Sequence, residues 1–254
     1  MKAMILAAGL GTRLQALTQT RPKALVEVQG IPLLAWVMAR LVQHGFTEIV
    51  VNTYHLADQI AAFLDGYPRQ PGHAGLRLAI SRESHLLDTG GGVQNAAWFF
   101  DDGQPFLVHN VDVLTDLDLN RLMEAHRGSG AIATLAVQER KSSRQFLFDE
   151  HQHLCGWQSF QNGETRIARP TNGPVTPLSF MGIQVMSHNF FKRYTAKPPF
   201  SLVEAYLQLV AAGETIAAFQ ADKARWLDLG KQENVDRALE LLGATFFETL
   251  KKGM

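Results

Sequence analysis

A short apolar segment that ends in a glycine-rich turn constrains this chain more than any other feature of its sequence. Residues 5–8 are apolar, and Gly9 and Gly11 follow them directly. Such a run is typical of a strand that is buried on both faces of a sheet. The glycines permit a sharp turn that exposes backbone N–H groups, and groups of this kind bind phosphate oxygens. The opening therefore predicts a phosphate-binding loop behind the first strand.

Two cations follow this predicted loop. Arg13 carries a planar guanidinium group that suits phosphate, and Lys23, just after Pro22, adds a second positive charge. A Walker A loop is excluded, because its two glycines are separated by four residues and followed by Lys-Ser or Lys-Thr. A dinucleotide-binding fingerprint is excluded as well, because Leu14 stands where that motif needs a third glycine. The loop is therefore of another phosphate-binding class.

Strand and helix patterns alternate along the first half of the chain. The predicted strands after the first are Glu48–Asn52, Leu76–Ser81, Pro105–His109 and Ala131–Val137, and the predicted helices are Pro32–His44, Leu56–Leu64, Gln94–Phe100 and Leu119–Arg127. The segment Tyr67–Gly75 holds two prolines and two glycines and is predicted to be a loop. This alternation indicates a largely parallel sheet with helices on both faces.

The pattern changes after Val137 to short strands separated by polar turns, which is typical of hairpins. The predicted strands are Phe146–Phe148, His153–Trp157, Thr165–Ala168 and the longer Thr176–Ser187, and the predicted helices are His188–Arg193, Leu202–Ala212 and Glu233–Leu250. The basic stretch Arg140–Arg144 is interpreted as a solvated connection.

The composition indicates a globular protein and argues against nucleic-acid and membrane partners. Apolar residues make up 46% of the 254 residues, and 24 basic residues balance 24 acidic ones. Nucleic acids and anionic membranes usually require a clustered basic excess, and no apolar stretch approaches the ~20 residues of a membrane helix. The single cysteine, Cys155, excludes an intramolecular disulfide. Because the N-terminus shows no secretory signal pattern, we expect a cytoplasmic protein.

The opening of the chain resembles the signature of the sugar-1-phosphate nucleotidylyltransferases, or sugar-nucleotide pyrophosphorylases. Leu-Ala-Ala-Gly-x-Gly-Thr-Arg-Leu stands at residues 6–14, and Arg-Pro-Lys-x-Leu stands at residues 21–25. The resemblance implies an α/β fold of the Rossmann-like, GT-A-like class, with three α/β/α layers, a central mixed, mostly parallel sheet and a small β-hairpin insertion. It also implies a single domain over 1–254, with a nucleotide-binding half (1–137), a sugar-binding half (138–230) and a C-terminal helix (231–254).

A second glycine-rich block, Leu87–Gly92, lies between the third predicted strand and the next helix. Three consecutive glycines raise the entropy cost of ordering a loop, so we expect them to let a flat ligand lie against the backbone. In the family, this position contacts the nucleobase. The Thr-Gly-Gly-Gly form resembles the branch that includes N-acetylmuramate-1-phosphate uridylyltransferases and related hexose-1-phosphate enzymes. The alternative is a flexible linker.

Two aspartates match the family's Mg²⁺ ligands. Asp112 follows an apolar strand, and Asp228 lies in a Trp-Leu-Asp-Leu-Gly segment. Mg²⁺ prefers one or two carboxylates together with phosphate oxygens and water. The chain departs from the family pattern at Val111, where glycine is usual, and at Lys231, where threonine is common. Only the resemblance brings the two aspartates together, because their spacing in the sequence cannot.

The resemblance implies roles for further residues. Arg13 and Lys23 are the implied catalytic residues, because they would neutralise the reacting phosphates. The implied nucleotide-binding residues are Leu6, Ala8, Gly9, Gly11, Thr12, Arg13, Asn52, Asp88, Thr89, Gly90, Gly91 and Asn110. The implied sugar-phosphate-binding residues are Glu164, Arg166, Gly182 and Glu204. Glu204 is equally an ordinary acid in the first turn of a helix.

The implied reaction is Mg²⁺-dependent transfer of a nucleotidyl group from an NTP to a sugar 1-phosphate, with release of pyrophosphate. One alternative is a cytidylyltransferase that acts on phosphocholine or another small phosphate ester. The other is a non-catalytic sensor of nucleotide sugars. The expected partners are small-molecule substrates only, with no nucleic acid and no membrane, and the expected state is a monomer or a homodimer. The nucleobase and the sugar are left open.

Overall fold

The computed structural model describes residues 1–11, 18, 20–67, 75–252 and 254. The predicted loop Tyr67–Gly75 lies almost entirely outside these residues.

The strands are short except for one of eleven residues. In chain order they are β1 (Lys2–Leu6), β2 (Glu27–Val28), β3 (Ile31–Pro32), β4 (Glu48–Thr53), β5 (Arg77–Arg82), β6 (Phe106–Asn110), β7 (Val113–Thr115), β8 (Ala133–Gln138), β9 (Arg144–Phe148), β10 (Leu154–Ser159), β11 (Thr165–Ile167), β12 (Thr176–Met186), β13 (Ile216–Gln220) and β14 (Trp226–Asp228).

The helices vary from four to eleven residues. In chain order they are α1 (Leu33–Gln43), α2 (Ala57–Asp65), α3 (Asp88–Asn95), α4 (Leu119–Ser129), α5 (Phe190–Arg193), α6 (Leu202–Ala211), α7 (Gln232–Asp236), α8 (Ala238–Leu242) and α9 (Ala244–Lys251). Single 3₁₀ turns cover Lys23–Leu25 and Ala97–Phe99. Within the described ranges, no helix combines the length and the apolarity that a membrane span requires.

The first of two compact units contains residues 1–86, 108–119 and 224–254. Its parallel strands β1, β4 and β5 are aligned so that Leu6 pairs with Asn52, and Asn52 pairs with Ser81. The carboxyl ends of these strands therefore meet at one edge of the sheet. Ligands of open α/β sheets bind at this edge. The aliphatic and aromatic side chains of α1 other than Val42 are buried, and the indole N–H of Trp36 donates to the Val28 carbonyl at 2.9 Å.

The second unit contains residues 87–107 and 120–223. Strand β8 pairs antiparallel with β12 and parallel with β13, while β12, β9, β10 and β11 form an antiparallel series. Phe100 and Phe106 stack with ring centroids 3.8 Å apart in its core, and Phe191 packs 5.6 Å from Phe106. The division between the units falls within β6, so each unit holds part of that strand.

The predicted fold class is confirmed: the sheet is mixed, helices accompany its parallel strands, and β9, β10 and β11 are the predicted hairpin insertion. The compact units, however, do not coincide with the predicted halves, because the C-terminal segment from residue 224 belongs to the first unit. The pairing of β14 with β7 explains why the C-terminal segment belongs to the first unit, because β7 lies in that unit.

Several predicted boundaries were wrong. Strand β1 ends at Leu6 and not at residue 8, and the helix expected from Gln94 begins six residues earlier, at Asp88. The single C-terminal helix is divided into α7, α8 and α9. Gly243 ends α8 with φ +81°, and the Leu242 carbonyl accepts a hydrogen bond from the Arg225 guanidinium instead of continuing the helix. Strands β13 and β14 were not predicted.

Candidate active site

The chain leaves β1 and enters the glycine loop at the edge of the parallel strands. Gly9 is exposed, and a Cβ atom placed on it would meet no atom within 4 Å. Gly11 adopts φ +66°, and a Cβ atom there would lie 2.7 Å from the Thr18 side chain. Glycine is therefore required at position 11 by both its backbone conformation and its close approach to Thr18. Leu6 is half-buried and Ala8 is buried.

Thr12 and Arg13, which the family resemblance places in the same loop, lie outside the described residues. Their predicted contacts with phosphate stay predictions.

Asn52 lies beneath the beginning of this loop. Its Oδ1 accepts a hydrogen bond from the Ala7 N–H at 2.7 Å, and its Nδ2 donates to Glu83 Oε1 at 2.7 Å. The residue is only 2% exposed. This geometry does not support the direct nucleotide contact implied for Asn52, because almost none of the residue is exposed to a ligand. Glu83, which sequence analysis missed, could have been found as an acid two residues after the predicted strand Leu76–Ser81.

Lys23 and Asp112 lie together in the same unit. The Lys23 ammonium group forms an ion pair with Asp112 Oδ2, and the two side chains are 12% and 17% exposed. Lys23 reaches this position from the 3₁₀ turn behind Pro22, while Asp112 follows the end of β6. The implied catalytic cation and an implied metal ligand thus meet in the structure, as neighbours with limited access to water.

The antiparallel pairing of β7 with β14 brings Asp228 close to Asp112. Asp228 pairs with Val113, the residue after Asp112, and the Leu229 N–H donates to the Asp112 carbonyl at 2.7 Å. The Asp228 carboxylate accepts a hydrogen bond from the Gly230 N–H at 2.7 Å. Two aspartates that are far apart in the sequence therefore lie side by side, Asp228 at the end of β14 and Asp112 in the turn just before β7.

The two aspartates fit Mg²⁺ better than a metal held by the protein alone. In the described part of the chain, no group of three or more His, Cys, Asp or Glu side chains is arranged to hold a metal ion. Mg²⁺ needs only one or two carboxylates when substrate phosphates and water complete its coordination. The chemistry of this donor pair is therefore compatible with Mg²⁺ bound together with a phosphorylated substrate.

His109 and Asn110 end strand β6. His109 is 1% exposed, and burial lowers the pKa of its imidazole to about 4. Its Nδ1 lies 2.8 Å from the Asn110 carbonyl oxygen. His109 is therefore an uncharged core residue at neutral pH. The Asn110 side chain is half-buried at the strand end, and its implied contact with nucleotide stays a prediction.

The glycine block of the second unit is helical, which the sequence did not predict. Gly90 and Gly91 are buried in the first turn of α3, and their N–H groups donate to the Phe200 carbonyl at 3.0 and 3.1 Å. A Cβ atom on Gly90 would lie 2.4 Å from the Phe200 ring, and one on Gly91 would lie 2.9 Å from Pro198. The glycines are therefore needed for this close packing. Their implied contact with a nucleobase stays a prediction.

Asp88 and Thr89 shape the same turn. Asp88 adopts φ +61°, and its carboxylate accepts from the Thr89 N–H at 2.6 Å. The Thr89 hydroxyl accepts from the N–H of Leu202, the first residue of α6. Ser201 caps α6 by accepting from the Glu204 N–H at 3.1 Å. Thr89 thus fixes the start of the helix that carries Glu204.

Arg166 and Glu204, both implied to bind the sugar phosphate, form an ion pair of 2.8 Å. The hydrogen bond from Arg166 lowers the pKa of Glu204, and a second hydrogen bond from Gln208, at 2.7 Å, acts in the same direction. Roughly a third of each side chain remains exposed. The pair presents one guanidinium group and one carboxylate, which can bind phosphate oxygens and sugar hydroxyl groups.

The structure does not join the other two implied sugar residues to this pair. Glu164 is exposed in the turn before β11 and accepts from Asn162 Nδ2 at 3.1 Å. Gly182 adopts φ +77° where β12 shifts register against β8, which is the geometry of a β-bulge. Among the described residues, no hydrogen bond or ion pair links Glu164 to Arg166 or Glu204.

A cavity of about 670 Å³ opens elsewhere in the second unit. Its wall includes Arg140, Lys141, Gln145 and the exposed ring of Phe160. The basic stretch interpreted from the sequence as a solvated connection thus lines a cavity. Of the implied site residues that the structure describes, none lines it.

Comparisons with a family model and with individual proteins both identify nucleotidyl transferases. Residues 2–148 match the model of the family described as "Nucleotidyl transferase". N-acetylmuramate alpha-1-phosphate uridylyltransferase of Neisseria meningitidis serogroup B is 34% identical over 249 residues, which cover 96% of this chain and 99% of the relative. The protein of the same name from Caulobacter vibrioides is 31% identical, over 90% of this chain and 91% of the relative.

Solved structures share the fold at lower sequence identity. HddC from Yersinia pseudotuberculosis is 23% identical with a TM-score of 0.74, over 94% of this chain and 98% of that protein. UDP-glucose pyrophosphorylase from Acinetobacter baumanii is 19% identical with a TM-score of 0.72, over 99% and 98% of the two chains. At these identities the likeness concerns the fold.

Proposed function

Because this chain belongs to the nucleotidyl transferase family, we propose that it transfers a uridylyl group from UTP to a sugar 1-phosphate and releases pyrophosphate. Two relatives that cover nine-tenths or more of the chain are named N-acetylmuramate alpha-1-phosphate uridylyltransferase. N-acetylmuramate α-1-phosphate is therefore the proposed acceptor. Glucose 1-phosphate and mannose 1-phosphate are the competing acceptors, because other relatives are named for them.

The observation that carries this proposal is the meeting of Lys23, Asp112 and Asp228 in one unit. The ion pair of Lys23 with Asp112 and the ladder that places Asp228 beside Val113 create one cation and two carboxylates at the ends of strands. The exposed glycine loop follows the neighbouring strand β1. This combination of backbone N–H groups, a lysine and two carboxylates suits a phosphate-rich substrate that carries a metal ion.

In the proposed reaction, an oxygen of the sugar 1-phosphate attacks the α-phosphorus of UTP. The new O–Pα bond forms while the bond from Pα to the bridging oxygen breaks, and pyrophosphate leaves with that electron pair. No covalent intermediate with the protein is required. Positioning and charge neutralisation would supply the rate enhancement, as in other transfers at phosphorus.

Each residue has a distinct part in this proposal. The N–H groups of Gly9 and Gly11 would bind the β- and γ-phosphates, and Lys23 would neutralise the α-phosphate and the attacking phosphate. Asp112 and Asp228 would hold Mg²⁺, which neutralises phosphate charge when bound. Arg166 and Glu204 would bind the sugar phosphate.

The decisive experiment is an assay of pyrophosphate release with the purified chain. UTP, GTP, CTP, ATP and dTTP are each combined with N-acetylmuramate, glucose and mannose 1-phosphates and with phosphocholine, with Mg²⁺ and with EDTA. We expect release that needs Mg²⁺ and is fastest with UTP and N-acetylmuramate α-1-phosphate. Turnover with CTP and phosphocholine only would contradict the proposal. Nucleotide binding by thermal shift without turnover for any pair would favour a sensor instead.

A further inference from the structure

We propose that Asn52 and Glu83 are positioning residues for the glycine loop, and that they act through the peptide unit that joins Leu6 to Ala7. This inference rests on the proposed function, because it takes the loop to be a phosphate-binding element. Neither side chain would touch the substrate. Asn52 is 2% exposed and Glu83 is 8% exposed.

The Leu6–Ala7 peptide unit is held at both of its polar atoms. Its carbonyl oxygen accepts a hydrogen bond from the Val111 N–H at 3.1 Å, and its N–H donates to Asn52 Oδ1 at 2.7 Å. A peptide unit is planar, so two hydrogen bonds at its two polar atoms fix its rotation about the chain direction. The strand β1 ends at Leu6, and this peptide therefore sets the direction in which the chain enters the loop.

The same peptide unit connects the loop to the aspartate side of the site. Val111, which donates to it, directly precedes Asp112, and Asp112 forms the ion pair with Lys23. A rotation of the Leu6–Ala7 peptide would therefore disturb two elements at once. One is the start of the glycine loop, and the other is the backbone beside the proposed metal ligand.

Glu83 determines which end of the Asn52 amide faces Ala7. An amide side chain presents an oxygen acceptor at one end and an NH₂ donor at the other, and the two ends have almost the same shape. A carboxylate only accepts hydrogen bonds, so Glu83 Oε1 selects the Nδ2 end, at 2.7 Å. The oxygen end is thereby turned to the Ala7 N–H. The N–H of Glu83 donates to the Thr53 carbonyl at 2.8 Å, which holds the backbone of Glu83 beside β4.

Because Asn52 and Glu83 are buried, the loss of either hydrogen bond would be costly. Water cannot readily replace a lost partner around side chains as buried as Asn52 and Glu83. If the amide lost its fixed direction, the Ala7 N–H would lose its acceptor, and the loop would enter the site in more than one orientation. We therefore expect weaker nucleotide binding and slower turnover.

The test exchanges the donor and the acceptor. In N52D, a carboxyl group replaces the amide that donates to Glu83, so two carboxyl groups face each other. In the double variant N52D/E83Q, the new glutamine can donate to the aspartate, and the aspartate can still accept from the Ala7 N–H. The matched control is T53V on the same strand, because Thr53 is equally buried and, within the described part of the chain, its hydroxyl has no hydrogen-bond partner.

We expect N52D to raise the KM for UTP and to lower kcat, each by about tenfold, because the combined loss of about 100-fold in kcat/KM lies within the range for one unsatisfied buried polar group. The double variant should return both constants to within about threefold of the wild type, and T53V should change neither. Hydrogen exchange at the Ala7 amide should be about ten times faster in N52D and normal in the double variant.

Two results would overturn the proposal. One is a double variant that regains the melting temperature of the wild type but not its kinetic constants. The other is an N52D variant with normal exchange at the Ala7 amide. An inactive wild type would instead reject the proposed function, and the exchange at Ala7 would still decide whether Asn52 and Glu83 orient this peptide.

Discussion

The Leu229 N–H donates to the Asp112 carbonyl at 2.7 Å, and this hydrogen bond holds the segment of Asp228 against that of Asp112. The register of β14 with β7 continues the contact, because Asp228 pairs with Val113. Backbone hydrogen bonds thus determine the relative position of the two carboxylates. The Asp112 side chain pairs with Lys23, and the Asp228 carboxylate accepts from the Gly230 N–H.

We expect the substitution Asp228→Asn to reduce kcat by at least about 100-fold without unfolding the chain. The asparagine Oδ1 can still accept from the Gly230 N–H, which the aspartate accepts at 2.7 Å, but the negative charge is lost. Steady-state kinetics and a melting curve measure the two effects. Asp222→Asn is the matched control, because Asp222 likewise accepts a backbone N–H at 2.7 Å but has no proposed role. Equal activity in both variants would contradict the metal-binding role of Asp228.

Lys23→Ala and Asp112→Ala should each abolish measurable turnover while the fold is retained. The ion pair that each change removes lies at the proposed site, and its side chains are only partly buried. Because the charges act on phosphate in the transition state, kcat should fall below the detection limit, a loss of more than about 100-fold. Pyrophosphate release and far-UV circular dichroism measure activity and fold. Lys223→Ala, at an exposed lysine, should behave as the wild type, and near-normal activity of both site variants would refute the mechanism.

Arg166→Ala should raise the KM for the sugar 1-phosphate by about tenfold and leave the KM for UTP unchanged. The guanidinium group contacts Glu204 at 2.8 Å, so its loss removes a cation and also releases the carboxylate. The measurement is initial velocity with each substrate varied in turn. The control is Arg193→Ala, which breaks a comparable ion pair of 3.1 Å with Glu214. A raised KM for UTP alone would assign Arg166 to the nucleotide.

Gly90→Ala should destabilise the chain by about 1–3 kcal/mol, because the new methyl group would lie 2.4 Å from the Phe200 ring. Urea unfolding followed by circular dichroism measures this change. The matched control is Gly128→Ala in α4, where a Cβ atom would meet nothing within 4 Å. That variant should be stabilised by about 0.5 kcal/mol, because alanine favours helix more than glycine. A Gly90→Ala variant of normal stability would show that the first turn of α3 can move away from Phe200.

The stability of the chain should fall as the pH drops from 6.5 towards 4. Burial lowers the pKa of His44, His109 and His126 to about 4, below the ordinary value of 6.5. Between these values the unfolded chain binds more protons than the folded chain. Each histidine therefore lowers the free energy of unfolding by up to ~1.4 kcal/mol for each pH unit of acidification.

His126→Asn tests this dependence, because His126 is buried and its Nδ1 lies 2.9 Å from the Thr134 hydroxyl. The variant should show a shallower decline in the free energy of unfolding between pH 6.5 and 4. His151→Asn serves as the control, since the His151 side chain is 73% exposed, and its slope should equal that of the wild type. Identical slopes for all three proteins would show that folding does not change the pKa of His126.

The sequence alone was sufficient to predict the helices and strands that depend on residues close together in the chain. Helix α1, strands β4 and β5 and the long strand β12 were predicted within about two residues, because apolar periodicity and nearby glycine or proline residues determine them locally. The glycine loop, Lys23 and the two aspartates were chosen as candidate site residues from short motifs, and their roles stay predictions. In each motif, the residue types within a short run indicate phosphate or metal binding.

Only the tertiary structure decided how distant segments use their polar groups. The carbonyl of Phe200 turns the glycine block into the first turn of α3, and the Arg225 guanidinium binds the carbonyl at which α8 ends. The sequence cannot show whether the Asn52 amide binds a ligand or the backbone. In the structure, Glu83 directs the oxygen of this amide to the Ala7 N–H. Hydrogen-bond partners such as these become fixed only when the chain brings them together, because buried polar groups must find a partner within the fold.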